Sequence, residues 1–576
     1  MASTESPVIP SMRASLTREG DRVFRAPAWL TESHNQPELF WRRYLEPIVQ
    51  FGGGRSRSKL HEGYDLYHDI VARHLGHNRL AWSSVTRTGE IAELTFEQIH
   101  QRCRCLSEQW RNMGTEAGMS VAIILPFGLD YILTVLTALR MGLIVTPITP
   151  QGRRFAAERL QVLEPDWLVS TDSYAKWMKA STPRLAETVK PVSLAGVADR
   201  SHYYDANGLV ARLFSPLSIE LLTPVDLNAE QLFLGLARDG ALCLGLSPGS
   251  VLAAPGFCTE QFQPTLTLAA FFVGAAYFEV EAQEIDINPS LIASSHVTHL
   301  GLTDRVRDLL LSEGDKPLGR FTHWFRNPAV TMDWPAWTRF CKKAEREQKL
   351  GFTYFANAAA AGCIFTGAPG RQPRLTHVLP VPAERFSLAD TNLSGMAAVG
   401  QAGVFEWLSL DNPESAVGRM LVSRDRHEYF LVGALQHNRE GQVFPTTAIE
   451  ALGRNEDHVA DACVVMHPGA DSTWRAILML FVEPGRLQAK QTRELIEHVK
   501  LLCEAEQGLK SIPDQVEVFE LSPRYKNDEL DRSWCRYQYL SGMLHRKSQT
   551  RCFTELAQLR YTLERITAAP TRSLES

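Results

Sequence analysis

The sequence predicts an α/β protein built on doubly wound parallel sheets, and three observations carry that expectation. Short continuous apolar runs, such as SVAIILP from Ser120 and LIVTPITP from Leu143, read as strands buried on both faces. Between them lie segments with apolar residues at helical spacing, such as GLDYILTVLTALRMG. The alternation of helix and strand with short turns occurs twice, once after Leu94 and again from Leu232 to Leu311.

Each element has a local reason. Residues 1–57 read as a leader, with an aromatic-rich segment (FRAPAWLTESHNQPELFWRRYLEP) followed by GGGRSRS, a linker by composition. Thr95 and Gln98 have capping-box spacing, opening a helix that closes at Gly114. Gly142 ends the next helix, and ERLQVLEPDWLVSTD adds a further helix and strand. LFLGLARDGALCLGLSPGSVLAAPGF, LTLAAFFVGAAYFEVEA and HVTHLGLTDRVRDLLL repeat the pattern. After Gly433 a smaller region follows, in QVFPTTAIEALGRNEDHVADACVVMHPG, ILMLFVEPG and LKSIPDQVEVFELSPR. In the tail, FTELAQLRYTLERI reads as one amphipathic helix, a brace or a partner-binding element.

Composition narrows the function class. At 576 residues the chain is too long for one core, and about 150 residues per domain suggests three or four subdomains. The formal charge of −5 arises from 65 acidic and 60 basic residues with no long run of either sign, which gives no reason to expect a nucleic-acid or anionic-membrane partner. The apolar stretch Ser120 to Ile148 is broken by Pro126, Asp130, Arg140 and Pro147 and is not a membrane span. Ten cysteines in such a length make no disulfide framework, and the N-terminus lacks the apolar core of a signal peptide, so a cytoplasmic protein is expected. Cys103 and Cys105, two apart on a helix, point in different directions and do not share a metal. His68, His74 and His77 read as solvated helix histidines.

LTFEQIHQRCRCLSEQWRNMGTEAGMSVAIILPFGLDYILTVLTALRMGLIVTPITP resembles the first long signature of the acyl-adenylate-forming superfamily, which includes acyl-CoA synthetases and nonribosomal-peptide adenylation domains. The resemblance extends over about four fifths of the chain. It implies an N-terminal leader (1–57), a large AMP-binding-like domain (58–432) of two doubly wound subdomains plus a small barrel, a smaller mobile α+β lobe (433–545) and a helical tail (546–576). It also implies ATP, magnesium and a carboxylate joined to the α-phosphate, which calls for cations and backbone amides aimed at phosphate.

The segments that match the family's reactive motifs lack those groups. The phosphate loop corresponds to LVARLFSPLSIELLTPVDLN, with no glycine or lysine; Ser215, Ser218 and Thr223 are its hydroxyls. The strand-end histidine is replaced by Cys258, after Phe257, and this thiol is expected to be inert and buried. The segment that should carry a phosphate-binding threonine and a magnesium-binding glutamate reads Asn357, Ala358, Ala359. The ribose aspartate is missing from VGRMLV, leaving Asp425 as the nearest acid. The hinge, near Gly433 to Gln436, has Ala434 where the family has arginine, and Glu529 stands at the position of the family's catalytic lysine, with Lys526 three residues before it.

The expectation is a non-catalytic relative that binds, regulates or scaffolds, without a cofactor or metal, and that holds an acyl group, CoA, an acyl-carrier protein or a ligase partner. One alternative is a divergent acyl- or aryl-adenylating ligase that uses ATP and magnesium with Lys526 and Arg424 in compensating roles. Another is thiol chemistry at Cys258.

Overall fold

In a computed structural model the described residues are 8–19, 24–86, 88–150, 153–178, 182–186, 188–190, 192–194, 198–215, 223–328, 334–389, 402–408, 420–425, 428–434, 438–439, 442–468, 474–526, 529–530, 534–535, 538–539 and 544. The contacts divide the chain into two compact units, the second made of residues from His437 onward together with 151–158.

The first unit holds two sheets. In the smaller, Ile144–Pro147, Ser120–Ile124, Trp167–Ser170 and Arg184–Leu185 run parallel in that spatial order, and Leu209–Phe214 continues them beside Ile144–Pro147. The larger sheet has a parallel core in the order Leu350–Asn357, His323–Arg326, His299–Leu302, Val251–Ala253, Ala276–Glu279, Leu80–Val85. Six antiparallel strands extend it beyond Asn357, from Gly362–Thr366 to Phe386–Ala389, and occupy the place of the expected barrel.

The apolar runs become strands because helices cover both faces. Val121 and Ile123 are wholly buried, as are Ile132, Leu136 and Cys103 on the helices packed over them. The helix Phe96–Arg111 opens on the Thr95–Gln98 capping box, and Gly142 ends Leu129–Met141 in the left-handed conformation at φ 80. A second capping box, Asn228 with Gln231, opens Ala229–Arg238. No helix among the described residues is long and apolar enough to cross a membrane.

Two expectations change. The GGGRSRS stretch is not a slack linker: a methyl on Gly54 would overlap the Arg73 carbonyl, and one on Gly52 would stand 2.8 Å from the carbonyl oxygen of Phe272. The leader helices Val8–Leu16 and Pro37–Phe51 put Ile9, Phe40 and Ile48 into the main core. His68 and His74 are not solvated. The helix Leu66–Ile70 is only five residues long and lies in the core, so His68 is 8% and His74 0% exposed, and only His77 is out in solvent.

The second unit is a three-stranded sheet, Val459–Pro468, Trp474–Val482 and Gln515–Glu520. Period-two alternation sends Leu478, Leu480 and Val518 to one face, where the helices Thr446–Arg454 and Ala489–Gln507 cover them. Ile477, Met479 and Phe519 go to the other, where Cys535, Tyr539 and Leu544 pack. Residues 545–576, including the expected tail helix, lie outside the described residues.

Candidate functional site

In an open α/β sheet, ligands bind outside the carboxyl ends of the parallel strands. Here that place is a turn, Asn357 to Gly362, between the strands Leu350–Asn357 and Gly362–Thr366. Asn357 ends its strand by capping: its Oδ1 accepts from the Ala359 amide at 3.2 Å, and a single 3-10 turn follows over Ala358–Ala360. Ala361 is left-handed at φ 58, and Gly362, at φ 120, leads into the return strand.

The turn spends its own donors. The Ala358 amide donates to the Gln261 carbonyl at 2.7 Å and the Ala361 amide to the Ala358 carbonyl at 3.0 Å. The Cys363 amide donates to Asp239 Oδ2 at 2.6 Å. Gln261 binds the turn a second time, its Nε2 donating to the Ala356 carbonyl at 3.1 Å. The Asn357 side-chain Nδ2 donates to Ser215 Oγ at 2.6 Å, bringing together two of the residues singled out in the sequence. Ala358 and Ala359 are each 1% exposed.

Beneath the turn lies a buried ion pair. The Arg238 Nε donates to Asp239 Oδ1 at 2.9 Å, its Nη1 to Glu384 at 3.0 Å and its Nη2 to the Cys363 carbonyl at 3.1 Å. Burial raises the Asp239 carboxyl, against the pull of Arg238. Asp239, Cys243 and Cys363 form the one metal-ligand-like cluster among the described residues, with donor atoms within 4.8 Å of one another. Burial pushes the Cys363 thiol well up, and both Asp239 oxygens are already in hydrogen bonds, so Arg238 takes the cation's part there.

The other sequence-predicted positions are scattered. Thr223 is half-buried at the approach to Pro224–Asn228, and Ser218 lies outside the described residues. Asp425 ends the strand Met420–Asp425, where its backbone pairs with Glu428. Gly433 and Ala434 pair with Leu421 and Met420 inside an antiparallel ladder, and Gln436 is outside the described residues. Lys526 and Glu529 are register partners in one short hairpin. Phe257 is buried between Phe262 and Phe325, with ring centroids at 4.8 and 5.3 Å.

Cys258 departs from expectation: it is exposed. Gly256, left-handed at φ 86, turns the chain so that Phe257 enters the core and the next side chain leaves it. Sequence reading also passed over Glu260, which is 7% exposed. Its carboxylate accepts from the Thr149 amide at 3.4 Å and faces Arg159, whose guanidinium lies 5.0 Å over the Phe214 ring. Burial raises the Glu260 carboxyl, and Arg159 opposes the rise. The available signal was the polar triplet Thr259-Glu260-Gln261 between two core phenylalanines.

No protein-family profile matches the sequence, and no curated protein matches it. Solved structures do. The amide bond synthetase McbA from Marinactinospora thermotolerans aligns with a TM-score of 0.64 at 17% identity, over 82% of this chain and 99% of that one. A double mutant of o-succinylbenzoate CoA synthetase (MenE) from Bacillus subtilis aligns at 0.62 and 12%, over 81% and 97%. A fatty acyl-adenylate ligase from L. pneumophila, in complex with acyl adenylate and pyrophosphate, aligns at 0.56 and 14%, over 82% and 96%. At these identities the likeness is one of fold.

Proposed function

We propose that this chain, which carries the fold of the acyl-adenylate-forming superfamily, is a non-catalytic binding or regulatory protein that does not form acyl-AMP. The observation that supports this most is the Asn357–Gly362 turn. A magnesium triphosphate needs oxygen ligands and free amides, and the turn does not fit one. It offers methyl groups at Ala358 and Ala359, and its amides at 358, 359 and 361 already serve the protein's own acceptors. The ligand proposed for such a protein is an acyl group, presented free, on CoA, on an acyl-carrier protein or by a ligase partner.

A second reading, an active divergent ligase using ATP and magnesium, is favoured by Glu260 and Arg159, a buried ionisable pair sequence reading did not include. Thermal unfolding of the full chain with and without millimolar Mg-ATP separates the two. A nucleotide at 100 times its Kd adds about 2.7 kcal/mol, a readily measured rise in Tm. The expected outcome is no rise, and no carboxylate-dependent pyrophosphate exchange. A clear rise accompanied by exchange would establish the second reading.

A further inference from the structure

At the amino end of the parallel sheet a cleft lies beside two stacked histidines. His299 and His323 open adjacent strands in register, and their rings stack with centroids 4.5 Å apart and planes 4° apart. Each ring is fixed by the threonine before it, His299 Nδ1 to Thr298 Oγ1 at 2.9 Å and His323 Nδ1 to Thr322 Oγ1 at 3.0 Å. His299 is 4% exposed, and its Nε2 has no hydrogen-bond partner among the described residues.

Beside them lies a cleft of about 250 Å³, with His323 on one wall and Arg13, from the helix Val8–Leu16, on the other. Arg13 lies against Gly245, whose φ of 73 suits glycine; a methyl there would overlap the guanidinium. Among the described residues no carboxylate lines the cleft and the Arg13 guanidinium has no ion-pair partner. Burial lowers Arg13 to about 10 and His323 to about 4, and His299 falls well below its usual value. Arg13's own charge depresses both imidazoles further. At neutral pH the cleft thus holds a single positive charge, and Leu16, Leu242 and Leu244 supply an apolar wall.

We propose that this cleft binds the carboxylate of a short-chain organic acid, with its head on Arg13 and His323 and its hydrocarbon against Leu242 and Leu244. A planar carboxylate fits the guanidinium fork, and one negative charge balances one positive. The dianion of a phosphate would bring an excess of charge into a half-enclosed space. Its His323 wall is remote from the alanine turn, whereas Cys243, which also lines the cleft, belongs to the cluster beneath that turn. His323 pairs with Leu350, and the eight-residue strand Leu350–Asn357 separates that histidine from the turn by about 23 Å.

The test is calorimetric titration of the full chain with sodium butyrate and, at equal ionic strength, sodium phosphate. Butyrate is expected to bind at one saturable site, to weaken about tenfold or more in Arg13→Gln, and to raise the imidazole titration of His323 in proton NMR. Arg13 is partly buried with no ion-pair partner among the described residues, so the smaller glutamine should be accommodated, and the NMR readout on the unaltered protein does not depend on the variant. Absence of saturable butyrate binding, equal affinity in the variant, or phosphate binding in place of butyrate would each overturn the proposal.

Discussion

Cys258 leaves the core because of one residue, the left-handed Gly256 two positions before it. In the folded protein a maleimide should therefore modify Cys258 well ahead of Cys103, Cys243, Cys363, Cys463 and Cys535, all buried. Mass spectrometry of briefly labelled protein checks this, and early label on the buried cysteines would contradict it. The case shows what was illegible at this scale. Residue type favoured a buried thiol, and a burial average cannot register a backbone reversal two residues away. His68 and His74 failed in the other direction. Their charge-capable rings suggested solvent, but the short helix that carries His68 is packed between other elements, and burial holds His74 well below its ordinary pKa. Glu260 was hidden for the same reason, since nothing local announces that an acid will be carried inward to meet Arg159.

At the scale of elements, the strands and helices of the first unit were readable because burial on both faces writes an unbroken apolar run, and capping residues mark the boundaries. The Thr95–Gln98 box and the Gly142 stop stand where the spacing predicts. The turn after Asn357 was readable as a run of alanines but not as a structure, because its bonds come from Gln261, Ser215 and Asp239, all distant in sequence. Gly362 is its tightest point, where an added methyl would overlap Asp239 at an unfavourable positive φ. Gly362→Ala should lower unfolding stability by about 2–4 kcal/mol, measured by urea denaturation. A change under about 0.5 kcal/mol would mean the turn is looser than its hydrogen bonds indicate.

For the whole molecule, acid stability follows from the stacked histidines. His323 titrates near 4 when folded against an ordinary 6.5, because burial disfavours its charged form, and His299 shifts the same way. The unfolded chain then binds more protons between those values. This contribution is complete above about 6.5 and is lost as pH falls through about 4. The urea midpoint should fall across that window, and fall less in His323→Gln. Parallel profiles for the two proteins would refute the assignment. At this scale the fold was largely legible, since the order of elements alone restricts an α/β chain to few topologies. The candidate site was legible only in outline, because its geometry depends on which distant segments meet.

The self-satisfied turn also sets a limit on protein engineering. Replacing Ala358 and Ala359 by threonine and glutamate would supply two side chains without changing the backbone that carries them. The amide of residue 358 would still face Gln261, and that of residue 359 would still face Asn357. Both new side chains would also have to enter space that two methyl groups now fill. On the proposed reading, conferring nucleotide binding through this turn is thus a loop-transplantation problem, in which the backbone must be exchanged before any side chain can matter.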